Sequence, residues 1–288
     1  MELTKEEELL CARAAELAEN SSYMVSATPF FTPRERLAVH DFLCRSGQMA
    51  NCFWWGGYPG AERACGIFVP EWYLPEEVPA VSGGYAGAFD EERDRFFARL
   101  LEENPSLAEE IPLRALSVRG SGFASLSHRD FMGGILALGI ERDVIGDIVV
   151  RFAAEEASSS QAVVFAAAKI CSYLEESLTQ IGRDAVVTER ITHPAGEELP
   201  RRFESIAVTV SSPRLDGIVK AITGMSREDA AEFVRRGLAE LNYHPAPVDK
   251  TVCPGDTLSL RGHGKYRIDT TDTETRRGRI RVTGRKYI

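Results

Sequence analysis

The chain lacks any run approaching 18 apolar residues among its 288, so no membrane-spanning helix is expected. Its six cysteines, Cys11, Cys44, Cys52, Cys65, Cys171 and Cys253, include no Cys-x-x-Cys pair and have no regular period. A metal knuckle or disulfide framework is therefore not expected, and reduced, buried thiols in a cytoplasmic protein are the better reading. Five histidines, at 40, 128, 193, 244 and 263, are dispersed and build no metal-ligand spacing, so neither metal nor cofactor is expected. The glycine-rich run from Gly56 to Gly60 has no Gly-Lys-Ser/Thr ending and no dinucleotide-fingerprint spacing, which favours a plain turn. Gly120-Ser121-Gly122 is too short for an adenosylmethionine loop. The start, Met1 to Glu8, is acidic and helical in pattern, unlike a signal peptide.

What is present is an unequal distribution of charge. The formal net charge is −9, which by itself argues against nucleic acid. Residues 201–288 nevertheless hold 17 Lys and Arg against 11 Asp and Glu, while residues 1–200 hold 17 against 32. A basic module attached to an acidic body is a pattern of nucleic-acid binders.

The basic part has a readable order. Leu215, Ile218, Val219 and Ile222 form one apolar stripe of a helix that Gly224 ends. Ser226 with Asp229 starts a second helix, which buries Ala230, Phe233 and Val234 and stops at Gly237. Arg214, Arg227, Arg235 and Arg236 lie off the apolar stripe and are free to meet phosphates, whose oxygens match guanidinium geometry. A small strand-rich tail comes next. The polar stretch Asp269–Glu274 reads as a turn, and Arg276 to Val282 as a very basic strand or arm.

The rest alternates helix and strand signals. Capping boxes at Thr4/Glu7, Thr32/Glu35 and Ser127/Asp130 open helices. Strands are predicted at Cys52–Trp55, Cys65–Val69, Leu113–Arg119, Ile145–Val150, Ala162–Ala166, Ala185–Ile191 and Ser205–Val210, with a loop over 71–90 and helices over 91–102 and 169–181. The class is α+β. Its divisions are a helical N-terminal segment (1–50), a central ferredoxin-like α+β domain with helices on one face (51–192), a connector (193–203) and the basic module (204–288). The Phe30-Phe31 pair is expected to staple the N-terminal segment to the adjoining chain.

The ordered pieces Arg214-Leu215-Asp216, Ser226-Arg227, Gly237, Leu241-Asn242-Tyr243, Gly255-Asp256 and Leu260-Arg261 resemble the S4 RNA-binding domain, of αL type. Adding Gly56-Gly57-Tyr58, Ala61-Glu62-Arg63, Ser127-His128-Arg129-Asp130-Phe131-Met132-Gly133, Leu138-Gly139-Ile140 and Ile145-Gly146-Asp147-Ile148, nearly the whole chain resembles the YlmH family of bacterial S4-domain proteins. Relatives commonly carry Trp after the Asn where this chain has Tyr243. The resemblance implies an RRM-like central domain and a non-enzymatic factor of ribosome-associated quality control. Such a factor binds rRNA of the large ribosomal subunit when peptidyl-tRNA obstructs it, beside other quality-control factors. A monomer is the default.

The RNA-contacting residues expected are Arg214, Arg227, Arg235, Arg236, Asn242, Tyr243, Arg261 and Lys265, the arm residues Arg276, Arg277, Arg279 and Arg281, and His128 and Arg129 of the central domain. No catalytic residue is expected. His128 and Asp130 stand at a capped helix start. Arg214-Leu215-Asp216 shares its letters with a pseudouridine-synthase signature, but the next residues continue a helix. The alternatives are an rRNA- or tRNA-modifying enzyme of that type and a general ribosome-assembly factor.

Overall fold

The computed structural model describes residues 3–151, 160–191, 203–274 and 278–287, with 272–274 described by backbone alone. Contacts divide the chain into two compact units, residues 1–199 and 200–288.

In the first unit α1 (Lys5–Asn20) and α2 (Pro33–Arg45) both begin on the predicted capping boxes, with Thr4/Glu7 and Thr32/Glu35 exchanging reciprocal bonds. These satisfy N–H groups that a first helical turn leaves without partners. Between them β1 (Ser26–Ala27) pairs with β3 (Cys65–Phe68), which pairs with β2 (Cys52–Trp55). Every residue of β2 and β3 is buried. Phe30 and Phe31 point into different clusters, Phe30 toward Phe53 and Phe97, Phe31 toward Leu43 and Trp54. The 71–90 stretch holds a 3-10 turn at Glu71–Tyr73 and α3 (Gly84–Ala88), so it is not all loop. Then come α4 (Glu91–Glu103) and α5 (Pro105–Glu110).

A second sheet starts at Leu113. It is built from β4 (Leu113–Gly120), α6 (His128–Leu136), β5 (Ile145–Arg151), β6 (Gln161–Ala167), α7 (Ala168–Ser177), β7 (Gln180–Ile181) and β8 (Asp184–Ile191), in that order. The sheet order is β5-β6-β4-β8-β7 with antiparallel pairings throughout. Apart from the short β7 this is the expected βαββαβ ferredoxin-like arrangement. It does not include the strands at 52–55 and 65–68, contrary to the sequence reading. Those short apolar runs are buried on both faces, and such runs carry no period that names a partner. The helix predicted to Ile181 ends at Ser177. Gly182, at φ 60°, turns a hairpin that pairs β7 with β8.

Period-two alternation gives this sheet two apolar faces. Leu116, Val118, Val164 and Ala166 pack on Phe131 and Ile135 of α6 and on Cys171 and Leu174 of α7. On the other face Leu113, Ala115, Val163 and Phe165 pack on Phe30, Phe53, Tyr58 and Phe97 from the first 112 residues. Burying each such aromatic is worth about 1.5–3 kcal/mol.

The second unit contains β9 (Phe203–Val210), α8 (Leu215–Thr223), α9 (Arg227–Arg235), β10 (Ala239–Leu241), β11 (His244–Pro245), β12 (Thr257–Leu260), β13 (Gly264–Glu274) and β14 (Ile280–Tyr287). The sheet runs β11-β10-β12-β13-β14-β9. Leu215, Ile218, Val219, Ala230 and Val234 of the two helices share its core with Leu258, Leu260, Ile268 and Val282; Phe233 is only partly buried. Gly224 ends α8 at φ 77°, as the sequence predicts.

One expectation for the tail changes: Asp269–Glu274 is not a turn but the end of β13. Of the strand or arm expected over Arg276–Val282, the described part is a strand, β14, lying between β13 and β9. Polar strands of this kind are supported by ladder hydrogen bonds, for Asp269–Glu274 those to β14, which composition does not display. The connector 193–202 and the arm residues Arg276 and Arg277 lie outside the described residues.

Candidate nucleic-acid interface

Asp216, in the first turn of α8, is 3% exposed. Its Oδ1 accepts from Arg214 Nε at 3.1 Å and from the Gly217 N–H at 2.9 Å, while Arg227 Nε stands 3.8 Å from Oδ2. A carboxylate there is favoured by the positive end of the helix. The Arg214 side chain remains 40% exposed and that of Arg227 71%. The hydrogen bond from Arg214 to Asp216 holds that guanidinium above the ordinary arginine range. One buried carboxylate thus orients two exposed guanidinium groups at the junction of two helices. Arg227 lines a groove of about 490 Å3 together with Asp216, Lys220, Met225, Arg279 and residues of β9. Arg279 donates to the Thr209 carbonyl at 2.9 Å.

Arg235 and Arg236 are exposed at the far end of α9, roughly 12 Å from Arg227 by helical rise. Arg235 pairs with Glu232 at 3.1 Å on the open surface, where such pairs contribute at most about 1 kcal/mol. The four arginines therefore form two sets.

Asn242 and Tyr243 adopt φ 52° and 65° in the two-residue turn between β10 and β11. Asn tolerates this conformation; Tyr does so at a cost. The Asn242 amide is engaged inside the fold, donating to Asp256 Oδ1 and accepting from the Thr257 N–H, both at 2.8 Å. It is a positioning residue that holds the turn. The Tyr243 ring has the Lys265 ammonium 5.0 Å from its centre. Arg261 is exposed just after β12, and Arg281 on β14.

His128 and Arg129 belong to the first unit, at the exposed start of α6. Ser127 and Asp130 form the expected capping box, with the Ser127 N–H donating to Asp130 at 2.8 Å. The protein around His128, and then Arg142, lowers the imidazole below the ordinary histidine range, against Asp147 and Glu62.

Three of the motifs that carry the family resemblance in the first unit, those at 56–58, 61–63 and 145–148, meet at one point. Asp147 Oδ2 accepts from the Tyr58 hydroxyl at 2.7 Å and the Glu62 N–H at 2.8 Å, and Oδ1 from the Arg63 N–H at 3.1 Å. Arg63 is buried and donates to the carbonyls of Phe30, Arg142 and Ile145. Gly57, at φ 102°, has Phe165 so close that a Cβ would stand 2.1 Å from its ring. The glycine-rich run is therefore a turn that seats the early strands on the ferredoxin-like sheet. RRM sheets bind RNA through exposed aromatics on their open face. Here the aromatic on that face, Phe165, is 0% exposed and has Tyr58 at 5.0 Å.

Sequence reasoning missed Arg267, Arg285, Phe203 and Tyr287 as surface groups of the second unit. The signal lies in β14, where Arg281, Thr283, Arg285 and Tyr287 alternate with Val282 and Gly284.

Residues 111–194 match the family model described as "Putative RNA-binding domain in YlmH", bounds that enclose β4 to β8. Over 263 residues, 91% of this chain and 87% of the relative, the chain is 26% identical to a Bacillus subtilis (strain 168) protein named ribosome-associated protein quality control protein P2. A solved structure named cell division protein ylmH, from Streptococcus pneumoniae, is 18% identical with a TM-score of 0.42, covering 66% of this chain and 94% of that one. The chain is thus similar to the YlmH family, through the RNA-binding domain model over residues 111–194 and through the Bacillus protein over most of its length.

Proposed function

We propose that the chain is an RNA-binding factor of ribosome-associated quality control that binds the large ribosomal subunit when peptidyl-tRNA obstructs it. Residues 204–288 act as an S4-type module, and rRNA and tRNA are its partners. The observation that carries this reading is the Asp216 clamp, which holds Arg214 and Arg227 at one carboxylate, with Arg227 lining a groove beside Lys220 and Arg279, in a unit with excess positive charge. Guanidinium groups held by a buried carboxylate lose less side-chain entropy when they meet a phosphate. The name of the Bacillus relative supports the cellular setting.

The alternative, a pseudouridine-synthase-type enzyme, has Asp216 as its candidate catalytic carboxylate. Its position under two guanidinium groups and the Gly217 N–H favours the positioning role. The deciding experiment is co-sedimentation of purified protein with large subunits, with and without bound peptidyl-tRNA, for wild type and Arg227→Ala. Preference for the obstructed subunit, weakened by the substitution, is expected. Equal binding to every subunit would leave a general assembly factor, and no binding would overturn the reading.

A further inference from the structure

The six-stranded sheet of the second unit has an inner and an outer face of different chemistry. Tyr266, Ile268, Leu258 and Val282 point inward to α8 and α9. The residues alternating with them point outward. On β14 and β13 these are Arg281, Arg285, Tyr287, Lys265 and Arg267, and on the neighbouring β9 Phe203 stands opposite Tyr287. The pairing of Tyr266 with Lys286 sets Lys265 beside Tyr287 on this outer side.

Rings and cations interleave there at short range. The Phe203 and Tyr287 rings meet edge to face with centres 5.0 Å apart, and Phe203 remains 39% exposed. The Arg285 guanidinium lies 5.1 Å from the centre of Phe203. The Lys265 ammonium lies 5.7 Å from the centre of Tyr287 and 5.0 Å from that of Tyr243. Arg285 also pairs with Asp269 at 3.0 Å, both partly exposed. The core of this unit is closed on the other face, so it does not require these three outward aromatics.

Proteins that hold single-stranded nucleic acid combine aromatic faces, on which bases stack, with cations that track the backbone. We infer that this outer face binds an unpaired stretch of RNA, with bases stacked on Phe203, Tyr287 and Tyr243 and phosphates held by Lys265, Arg267 and Arg285. Duplex RNA offers no free base faces and gains only the cations. The ferredoxin-like sheet of the first unit does not compete for this role, because protein covers Phe165 on its corresponding face. The inference rests on the RNA-binding reading and adds the strandedness of the RNA and a surface distinct from the Asp216 clamp.

The test uses the full chain with two probes: a uridine octamer carrying one 2-aminopurine, and a blunt duplex of equal length. Wild type is expected to bind the octamer and quench its 2-aminopurine. Tyr287→Leu and Phe203→Leu should each weaken octamer binding about tenfold, within the range for one lost base stack, and change duplex binding less than twofold. Lys265→Gln should lower the salt dependence of octamer binding. Equal losses on octamer and duplex would overturn the inference, as would unquenched 2-aminopurine in the bound wild type. Wild-type binding to duplex but not octamer would overturn it while leaving the RNA-binding reading in place. Binding to neither probe would overturn both.

Discussion

The hydroxyl of Tyr58 donates to Oδ2 of Asp147 at 2.7 Å, joining residues 89 positions apart. The same carboxylate receives the N–H groups of Glu62 and Arg63. One side chain at the start of β5 therefore fixes a glycine-rich turn to the edge of the ferredoxin-like sheet. A half-buried carboxylate with three donors contributes more than a surface ion pair, because losing it leaves backbone N–H groups without acceptors.

Asp147→Ala should destabilise the protein by roughly 2–4 kcal/mol, and Tyr58→Phe by about 1 kcal/mol. Urea denaturation monitored by tryptophan fluorescence checks both. Equal effects from the two would show that the backbone N–H bonds contribute nothing.

Gly57→Ala places a methyl group 2.1 Å from Phe165 at a φ of 102°. The expected loss exceeds about 3 kcal/mol, combining overpacking with backbone strain. Phe165→Leu in the same chain should recover part of that loss, since the two sites share one space. A strictly additive double variant would refute the contact.

Removing a negative charge at Asp216 should weaken RNA binding. Asp216→Asn raises the net charge, yet it releases Arg214 and Arg227 from their clamp; a loss of roughly 1 kcal/mol, about fivefold, is expected. Arg227→Ala should lower the slope of log affinity against log salt by about 0.7–0.9. Fluorescence anisotropy across a salt series measures both, and tighter binding by Asp216→Asn would show that bulk charge outweighs orientation.

Burial pushes the Asp94 carboxyl up to about 6, against Arg36 at 3.8 Å and the Gly60 N–H at 2.9 Å. A folded value above the unfolded one means that the folded chain holds the extra proton between the ordinary 3.8 and about 6. The stability from this group is therefore fully present at low pH and lost as pH rises through that window. Asp130 and Asp184, lowered by hydrogen bonds from Ser127 and Ser121, act in the opposite sense below the ordinary carboxylate range. Asp94→Asn should remove the window near pH 4–6 and leave the acid limb; a wild-type-minus-variant stability difference independent of pH would contradict this.

Thiol labelling of the folded protein should be selective. Cys253 is exposed, whereas burial raises Cys52 to about 12 and also raises Cys65. A chromogenic disulfide should react rapidly at Cys253, and Cys253→Ser should abolish that phase. Buried thiols should react only on unfolding.

The sequence by itself determined the local structure. The boxes at Thr4, Thr32 and Ser127, the stripe of α8 and the αL stop at Gly224 depend on neighbours within a few residues, so their residue types are sufficient signals. The ordered arginines of residues 214–236 and the charge excess of the last 88 residues also stood in the sequence. Only the tertiary structure decided which strands share a sheet, that Asp216 joins Arg214 to Arg227 while Arg235 and Arg236 stand apart, and that Asn242 faces the fold. It alone brought Tyr58 to Asp147 and set Phe203, Tyr287 and Lys265 on one face. Apolar runs such as Cys52–Trp55 carry no label for their partners, and a polar strand such as Asp269–Glu274 becomes a strand only through hydrogen bonds to β14, the next strand of the chain. Pairing of that kind is an energy of the assembled fold, and residue order does not display it.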